Sequence, residues 1–336
     1  MTILLYDIPA STTYSKTLTE FGITANYETP SSIQRLLGHV RRYLPDLRGV
    51  NIASANWVDQ VRTGRVLNYT YGFGLLRDSV RPSLVLEGMG ADYIGAHPNG
   101  LFLSANKPHM SALMAAVGFS VPAERLVAGD LTAGDAATLS KYFDTDCLIV
   151  KPAYEESSLG ISLIANGPEA IRTASAALRA AVDGPVVIQE YIDGLDVTVP
   201  IVGRHNVSCL PAVVLRHESL QTTPFVFDAE LKATKADVHY EGIASWPVDV
   251  RRQLYDMALT AFRLAGLRDY ARLDCRITNS GQCYFLEINA NPQLGLGKAS
   301  FAVSGAAIGM EVGEVIRRMV RHEGLSYAPT PLSLGH

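Results

Sequence analysis

Two alternating runs of polar and apolar residues in the last third of the chain constrain its fold more than any other feature. Residues 270–278 and 282–289 flank the turn-forming tripeptide Asn-Ser-Gly at 279–281. Alternating runs around a short turn are typical of a β-hairpin, so the sequence predicts an antiparallel sheet in this region.

The predicted hairpin carries acidic side chains on one face. Alternation places Arg272 and Asp274 on one side of the first strand, and it places Glu287 on the same side as Asn289 in the second. A tight turn at residues 280–281 brings Asp274 directly across from Glu287, with the side-chain bases about 5 Å apart. Two carboxylates at that separation repel each other unless a cation lies between them.

This acidic pair predicts a magnesium site. Mg2+ binds one or two carboxylates together with an amide oxygen and nucleotide phosphates, and the hairpin offers two carboxylates and the Asn289 amide. The alternative is a solvated polar face, since polar alternation is common in antiparallel sheets. The segment Ala-Asn-Pro at 290–292 ends the second strand abruptly, as the rim of an active site often does, which favours the metal site.

The composition indicates a globular protein with more than one packed unit. The chain has 336 residues, of which 48% are hydrophobic and 18% are charged, so two or three packed units are expected. With 29 Lys and Arg against 33 Asp and Glu, the net charge of −4 gives no positive field for holding nucleic acid or an anionic membrane. We expect neither as a partner.

The sequence also predicts a cytoplasmic protein. Its four cysteines lack CxxC spacing, and its first residues lack the basic and apolar blocks of a secretory signal. The longest uncharged run of small and apolar residues, 299–310, is too short to cross a bilayer of about 30 Å.

Apolar periodicity predicts the elements that precede the hairpin. Met110, Leu113, Met114 and Val117 follow helical spacing after a proline, and Gly118 follows them. Short apolar runs bounded by turn residues predict strands. The predicted helices span 108–117, 168–182 and 249–265, and the predicted strands span 148–150, 161–164, 186–190, 197–202 and 210–215.

A lysine at the end of a predicted buried strand is a candidate phosphate ligand. Lys151 follows the run Leu-Ile-Val at 148–150 and precedes a loop with Ser and Gly at 155–160. An ammonium group and the N–H groups of such a loop can hold phosphate, although the loop is not a Walker A motif. The alternative is a lysine that extends to solvent beside an ordinary turn.

Two other segments contain candidate nucleotide-binding residues. Gln189, Glu190 and Tyr191 end another predicted strand, where backbone groups and the Gln189 side chain can hydrogen-bond adenine. Asp196 follows after a turn and could accept hydrogen bonds from ribose hydroxyls. Lys232 lies in a polar stretch whose simplest interpretation is a surface loop.

In this order, the segments resemble the ATP-grasp superfamily. The matching segments are Lys107 before a helix, LIVKPAYEESSLGIS at 148–162, VIQEYIDGLDVTV at 187–199, FDAELK at 227–232, and ARLDCRIT and YFLEINANP between 271 and 292. They are most similar to the D-alanine:D-alanine ligase branch and its amino-acid ligase relatives. The resemblance extends from about Leu67 to about Val320.

The resemblance implies a mixed α/β and α+β fold, in which an N-terminal α/β domain precedes two α+β domains that clamp ATP. The implied divisions are a substrate-side domain at 1–104, a central ATP-grasp subdomain at 105–185, a catalytic domain at 186–325 and a tail at 326–336. The same resemblance implies a homodimer that uses ATP and two Mg2+ ions, with Mn2+ as an alternative, on small amino-acid-like substrates.

The resemblance also implies roles for individual residues. Lys107 and Lys151 hold the α and β phosphates, Lys232 reaches the γ phosphate, and Arg272 faces the reacting carbonyl group. The implied nucleotide-binding residues are Lys107, Lys151, Ser157, Ser158, Gly160, Gln189, Glu190, Tyr191, Asp196 and Lys232. The implied catalytic residues are Arg272, Ser157 and Lys232, and the implied metal ligands are Asp274, Glu287 and Asn289.

The chain departs from the dipeptide ligases at several positions. Asn106 stands where Asp is common, Gln189 where Glu is common, Gln293 where Gly is common, and Ala233 where those enzymes have a tyrosine. The N-terminal glutamate motif that orients the first D-alanine has no counterpart in residues 8–18. These departures predict a substrate other than a pair of D-alanine molecules.

The expected activity is therefore an ATP-dependent carboxylate:amine ligase that forms an amide through an acyl phosphate. We expect it to act on amino acids in a biosynthetic pathway outside cell-wall synthesis, with ring closure within one molecule as one form of the reaction. One alternative is the D-alanine:D-alanine ligase of cell-wall synthesis. An alternative of another class is a nucleotide-binding protein without turnover.

Overall fold

The computed structural model describes residues 1–8, 29–70, 76–154, 160–182, 184–217, 238–297 and 299–324. Within these ranges the strands form three sheets, which follow one another along the chain. Four apolar clusters fill the spaces between the sheets and their helices. None of the described helices combines the length and hydropathy needed to span a membrane.

The first sheet is parallel. Its order is β2-β1-β3-β4, and its strands alternate with helices because parallel neighbours need crossover connections. Its strands are β1 Thr2–Tyr6, β2 Arg48–Asn51, β3 Arg65–Tyr69 and β4 Tyr93–Ile94. The helices of this part are α1 Pro30–Val40, α2 Trp57–Val61, α3 Leu76–Gly88 and α4 Pro98–Ala105.

The middle sheet is antiparallel and has the order β5-β8-β6-β7. Its strands are β5 Glu124–Val127, β6 Cys147–Pro152, β7 Ser162–Ala165 and β8 Val186–Glu190. Two helices, α6 Ala133–Tyr142 and α7 Pro168–Val182, pack on it through Ala136, Ile171 and Leu178. Strand β8 belongs to the middle sheet although it follows the implied division between residues 185 and 186. The implied domain divisions themselves remain predictions.

The third sheet has the order β12-β11-β9-β13-β14, with β10 paired to β9. Its strands are β9 Leu195–Gly203, β10 Ser208–Cys209, β11 Val213–His217, β12 Val238–Gly242, β13 Asp269–Ile277 and β14 Cys283–Ala290. Helices α5 Lys107–Ala116 and α8 Val248–Leu264 contribute to its core, and helices α9 Ser300–Ala306 and α10 Val312–Arg321 follow the last strand. Met110 and Met114 of α5 lie in the same cluster as Phe285 of β14.

The predicted elements correspond closely to the observed ones, with one exception. The run at 210–215 was expected to form a single strand, but the structure has the short β10 before it and starts β11 at Val213. Pro211 stands between them and has no N–H with which to continue a ladder.

The predicted pairing of Asp274 with Glu287 is confirmed, although the turn differs from the expected one. The N–H of Thr278 donates to the carbonyl of Gln282 at 3.0 Å, which closes the hairpin around three residues. Gly281 provides the left-handed backbone that this loop requires, with φ of 85°.

A β-bulge compensates for the longer loop. Ile277 pairs with Cys283 at the end of the hairpin, one residue away from the expected register, and the register shifts again between Asp274 and Cys275. Leu286 is the extra residue in β14. Strict alternation would have placed it on the apolar face, but Phe285 is the buried residue instead.

A buried carboxylate joins the first sheet to the third. Asp269, at the start of β13, accepts two hydrogen bonds from Arg204, at 2.8 and 2.7 Å, and a third from the N–H of Gly95, at 2.8 Å. Beyond β14, the Asn291 side chain accepts from the N–H of Ala96 at 2.8 Å. These contacts fix the loop after β4 against the strands that carry the acidic pair.

Candidate active site

The acidic pair lies on the exposed face of the β13–β14 hairpin. Arg272 is paired with Asn289 and Asp274 with Glu287, so the four side chains form two adjacent rows. All four are half-buried, whereas Leu273 between the rows is fully buried in the core behind them. The alternation predicted from the sequence therefore holds through the residues that matter for the site.

Asp274 is held by three side chains. Arg272 donates to both of its oxygens, at 2.7 and 2.6 Å, and the Thr198 hydroxyl donates at 2.8 Å. The Asn289 amide adds a further hydrogen bond at 2.9 Å. Burial disfavours the charged form of Arg272, but the neighbouring Asp274 carboxylate outweighs this and raises the pKa of Arg272 above its ordinary value. The guanidinium therefore stays charged at every physiological pH.

The donor set at this position suits a hard divalent cation. The Asn289 amide nitrogen lies between the two carboxylates, 2.9 Å from Asp274 and 3.2 Å from Glu287. A donor there offsets carboxylate charge as a cation would, and rotation of the amide presents its oxygen instead. Across the described parts of the chain, no group of three or more His, Cys, Asp or Glu is placed to hold a metal. A metal here therefore requires the amide or an exogenous oxygen ligand such as phosphate.

Two buried lysines face this pair. Lys107 begins α5 and Lys151 lies near the end of β6, and they are only 6% and 5% exposed. The Lys107 ammonium lies 3.9 Å from a carboxylate oxygen of Glu287, and the Lys151 ammonium donates to Gln189 at 2.9 Å. Lysines are rarely buried to this extent without function or pairing, which disfavours the interpretation of Lys151 as a solvent-reaching strand end.

Burial changes the proton affinity of Lys151. Removal from water lowers the pKa of its ammonium to about 8, and nearby Lys107 acts in the same direction while Glu124 and Glu287 oppose it. A group with this pKa is sensitive to an added anion, because a phosphate nearby stabilises the charged form.

The end of β8 has more internal partners than the sequence predicted. Gln189 contacts Lys151 through its amide oxygen and Glu124 through its amide nitrogen, at 2.9 and 2.8 Å. The Glu190 carboxylate accepts from the N–H of Ala123 at 3.1 Å.

Asp196, predicted at the ribose, pairs with a neighbouring arginine. Arg276 donates to its two oxygens at 2.8 and 3.2 Å, and the guanidinium carbon lies 4.7 Å from the centre of the Tyr191 ring. This arrangement fixes Tyr191 and Asp196 relative to each other at the junction of the middle and third sheets. Their assignment to the nucleotide stays a prediction.

Gly160 adopts a backbone conformation that residues with a side chain rarely take. Its φ is 64°, and a Cβ atom there would collide with a methyl group of Leu178. The other predicted members of the phosphate loop, Ser157 and Ser158, lie outside the described residues, as do Lys232 and Ala233. The segment in which the N-terminal glutamate motif was sought also lies almost wholly outside them.

Sequence reasoning missed Thr198 and Glu124. Thr198 lies in β9 opposite Asp274, and Glu124 lies in β5 opposite Gln189. Both contacts arise from pairing between strands far apart in the chain. Thr198 lies within the matching segment at 187–199, which implies no role for it, and Glu124 lies in none of the matching segments. The pairing of Arg276 with Asp196 depends on the same β9–β13 register.

The C-terminal part of the chain matches a described protein family. The family model for the C-terminus of D-ala D-ala ligase matches residues 138–321, a span that includes the acidic pair, Lys151 and Gln189. This chain belongs to the D-alanine:D-alanine ligase family. The resemblance to the ATP-grasp superfamily is thereby confirmed.

The sequence similarity to individual relatives extends over most of this chain. It is 29% identical over 232 residues to a D-alanine--D-alanine ligase of Xanthomonas axonopodis pv. citri, which covers 68% of each chain. It is 27% identical over 286 residues to a D-alanine--D-alanine ligase of Cupriavidus taiwanensis, covering 85% of this chain and 82% of the relative.

Solved structures confirm the expected fold. The D-alanine--D-alanine ligase of Bacillus anthracis complexed with ATP superposes with a TM-score of 0.68 at 18% identity, covering 96% of both chains. The comparisons confirm the expected class, an ATP-dependent ligase. They support the D-alanine:D-alanine ligase alternative more than the main expectation of a ligase outside cell-wall synthesis.

Proposed function

We propose that this ligase joins two D-amino acids, with D-alanine as the first candidate for both. The observation that carries the proposal is the convergence of two buried lysines with the paired carboxylates of β13 and β14. Transfer of a phosphoryl group from ATP requires cations on one side of the phosphates and ligands for a divalent metal on the other. Family membership supplies the D-amino-acid class.

ATP and Mg2+ fit the residues present. Lys107 and Lys151 would neutralise phosphate oxygens, and Asp274, Glu287 and Asn289 are the residues that would hold the metal. Mg2+ bound there would neutralise charge on the phosphates during transfer. Gln189, Glu190, Tyr191 and Asp196 remain the proposed adenosine side, while Ser157, Ser158, Gly160 and Lys232 remain the proposed phosphate loop and γ-phosphate contacts.

The chemistry follows from the poor leaving ability of a carboxylate oxygen. In the proposed reaction, a carboxylate oxygen of the first amino acid attacks the γ-phosphorus of ATP, which gives an acyl phosphate and ADP. The amine of the second amino acid then attacks the carbonyl carbon, and inorganic phosphate leaves with the bridging oxygen. One proton is released from the amine, so the products are the dipeptide, ADP, phosphate and a proton.

In this proposal Arg272 acts in the second step. Its Nε and one terminal nitrogen donate to Asp274, which leaves the other terminal nitrogen for the developing oxyanion. Because Asp274 fixes the guanidinium before substrate arrives, little reorganisation is needed at the transition state.

A screen for ADP release tests this proposal. The full chain is incubated with ATP, Mg2+ and single or paired amino acids of both configurations, and products are identified by mass spectrometry. We expect D-alanyl-D-alanine, or a mixed D-dipeptide, with no product from L-amino acids alone. ADP release with a product cyclised within one molecule would instead support ring closure, and nucleotide binding without amino-acid-dependent ADP release would support a binding protein without turnover.

The quaternary structure is part of the proposal. We propose a homodimer on the basis of the family resemblance, with small molecules rather than nucleic acid or membrane as the other partners. Sedimentation equilibrium of the full chain distinguishes a dimer from a monomer of 36.3 kDa.

A further inference from the structure

A line of three polar side chains crosses the middle sheet beneath the proposed nucleotide site. The Glu124 carboxylate accepts from the amide nitrogen of Gln189 at 2.8 Å, and the amide oxygen of Gln189 accepts from the Lys151 ammonium at 2.9 Å. Glu124 lies on β5, Gln189 on β8 and Lys151 on β6. The three side chains thus connect a strand at the edge of the sheet to the buried Lys151 ammonium, a proposed phosphate contact.

Both ends of the Gln189 amide are committed by this arrangement. Gln189 is 3% exposed, and an amide has one oxygen acceptor and one nitrogen donor group. A carboxylate can only accept and an ammonium can only donate, so a single amide orientation satisfies both neighbours. Among the described residues, removal of the Glu124 charge would leave the Lys151 ammonium as the one charged neighbour of this amide.

The charges around Lys151 come from three other elements. Glu124 on β5 and Glu287 on β14 stabilise its ammonium form, whereas Lys107 on α5 and the burial of the site oppose it. Glu287 is also the proposed metal ligand, so bound Mg2+ would reduce its effect on Lys151. Glu124 would then be the remaining carboxylate, among those identified around Lys151, that offsets its charge.

We propose that Glu124 is a positioning residue for nucleotide binding, which acts through the Gln189 amide to hold the Lys151 ammonium against the nucleotide phosphates. The family commonly has a glutamate at position 189, and in this chain the negative charge comes instead from the neighbouring strand. The proposal rests on the proposed function only in requiring that the ligand is a magnesium nucleotide. The simpler alternative is that Glu124 is a solvated carboxylate of an edge strand.

The test is the affinity for ADP and Mg2+ between pH 6 and pH 9, measured by calorimetry without amino acid. Glu124→Gln keeps the size of the side chain and removes its charge, and Glu169→Gln is a matched control on the exposed start of α7. If the free-protein pKa of Lys151 falls by about one unit, Glu124→Gln should bind ADP about fivefold more weakly than the unmodified protein at pH 8. The two should bind almost equally at pH 6, and the control should be unchanged throughout.

A second variant keeps the charge at position 124. Glu124→Asp retains the carboxylate on β5 with a side chain one methylene shorter, and it should bind ADP more tightly than Glu124→Gln at pH 8. Equal affinity of Glu124→Gln and the unmodified protein at every pH would overturn the proposal, as would a loss that is independent of pH or that Glu124→Asp shares in full. If Glu124→Gln does not fold, as shown by circular dichroism, Glu124→Ala takes its place, and equal ADP affinity of Glu124→Ala and the unmodified protein at pH 8 would also overturn the proposal.

This experiment is separate from the test of ligase activity. ADP binding does not require an amino acid, so a correct pH profile with no dipeptide formation would contradict the proposed reaction and leave the role of Glu124 intact. Dipeptide formation by the unmodified protein, together with an unaltered pH profile of ADP binding in Glu124→Gln, would support the proposed reaction and overturn the role of Glu124.

Discussion

At the scale of single residues, the site is defined by charge that is buried or crowded. Lys107 and Lys151 lie inside the protein, while Asp274 and Glu287 occupy directly paired positions on adjacent strands. Both arrangements cost free energy in the absence of a ligand with complementary charge. They are therefore better explained by binding of a polyanion together with a metal than by stability of the fold.

Replacement of Glu287 by glutamine should abolish phosphoryl transfer. The substitution keeps the size of the side chain but removes one of the two carboxylates proposed to hold the metal, so we expect kcat to fall at least about 100-fold with an unchanged circular dichroism spectrum. The control is Glu241→Gln, which removes a carboxylate from an exposed pair with Arg216. A folded Glu287→Gln protein with the full rate of ADP release would show that the metal assignment is wrong.

Replacement of Lys151 by methionine should stabilise the nucleotide-free protein while preventing ADP binding. The native pKa of about 8 lies below the unfolded value of about 10.4. Between these two pH values the unfolded chain binds more protons than the folded protein, so the free energy of unfolding rises with pH. We expect the variant to be about 1–3 kcal/mol more stable to urea at pH 7, with the difference shrinking above pH 8. A less stable variant at pH 7 would contradict the conclusion that the buried charge of Lys151 destabilises the nucleotide-free protein.

At the scale of elements, the hairpin of β13 and β14 determines the geometry of the site. The glycine turn and the bulge at Leu286 act together, since each shifts the register by one residue and only their combination places Asp274 opposite Glu287. Neither the glycine turn nor the bulge changes the apolar face of β13, where Leu273 and Cys275 remain buried.

Gly281→Ala should destabilise the hairpin. Its φ of 85° disfavours any side chain, and an added Cβ would lie 3.2 Å from a methyl group of Val250, so we expect a loss of about 1 kcal/mol in the free energy of unfolding. Gly38→Ala is the contrasting control. It lies within α1 with no atom within 4 Å of an added Cβ, and it should gain about 0.5–1 kcal/mol. Urea denaturation measures both, and a stabilising Gly281→Ala would contradict the assigned turn.

The sequence predicted elements better than it predicted their partners. Helices at 108–117 and 168–182 were expected and occur at Lys107–Ala116 and Pro168–Val182, because apolar spacing and terminal residues are local signals. The acidic pair was also found, although the expected turn was wrong and the bulge corrected for it. Thr198 and Glu124 could not be found in this way, since their contacts depend on the pairing of distant strands.

At the scale of the whole molecule, the first and third sheets are joined through Asp269. Its side chain is 1% exposed and pairs with Arg204, and it accepts from the backbone of the loop after β4. Because β13 begins at this residue, the contact connects the first sheet to the strand that carries Arg272 and Asp274.

Asp269→Asn should be among the most destabilising substitutions in the chain. It leaves the half-buried Arg204 guanidinium, whose side chain is 22% exposed, without its counter-charge, and we expect a loss of about 2–4 kcal/mol in the free energy of unfolding. Asp92→Asn is the matched control, because that carboxylate is 52% exposed in its pair with Arg65 and should contribute less than about 1 kcal/mol. Equal effects of the two substitutions on urea unfolding would show that the Asp269 contact does not join the sheets.

The central claim, activation of a carboxylate by ATP, is tested most directly by following oxygen. The unmodified protein is incubated with ATP, Mg2+ and D-alanine whose carboxylate carries oxygen-18, and the released phosphate is analysed by mass spectrometry. Transfer of the carboxylate oxygen to phosphorus predicts one oxygen-18 atom in each phosphate formed with a dipeptide. Phosphate without the label would show that water, and not an amino-acid carboxylate, attacks ATP, and it would contradict the proposed ligase reaction.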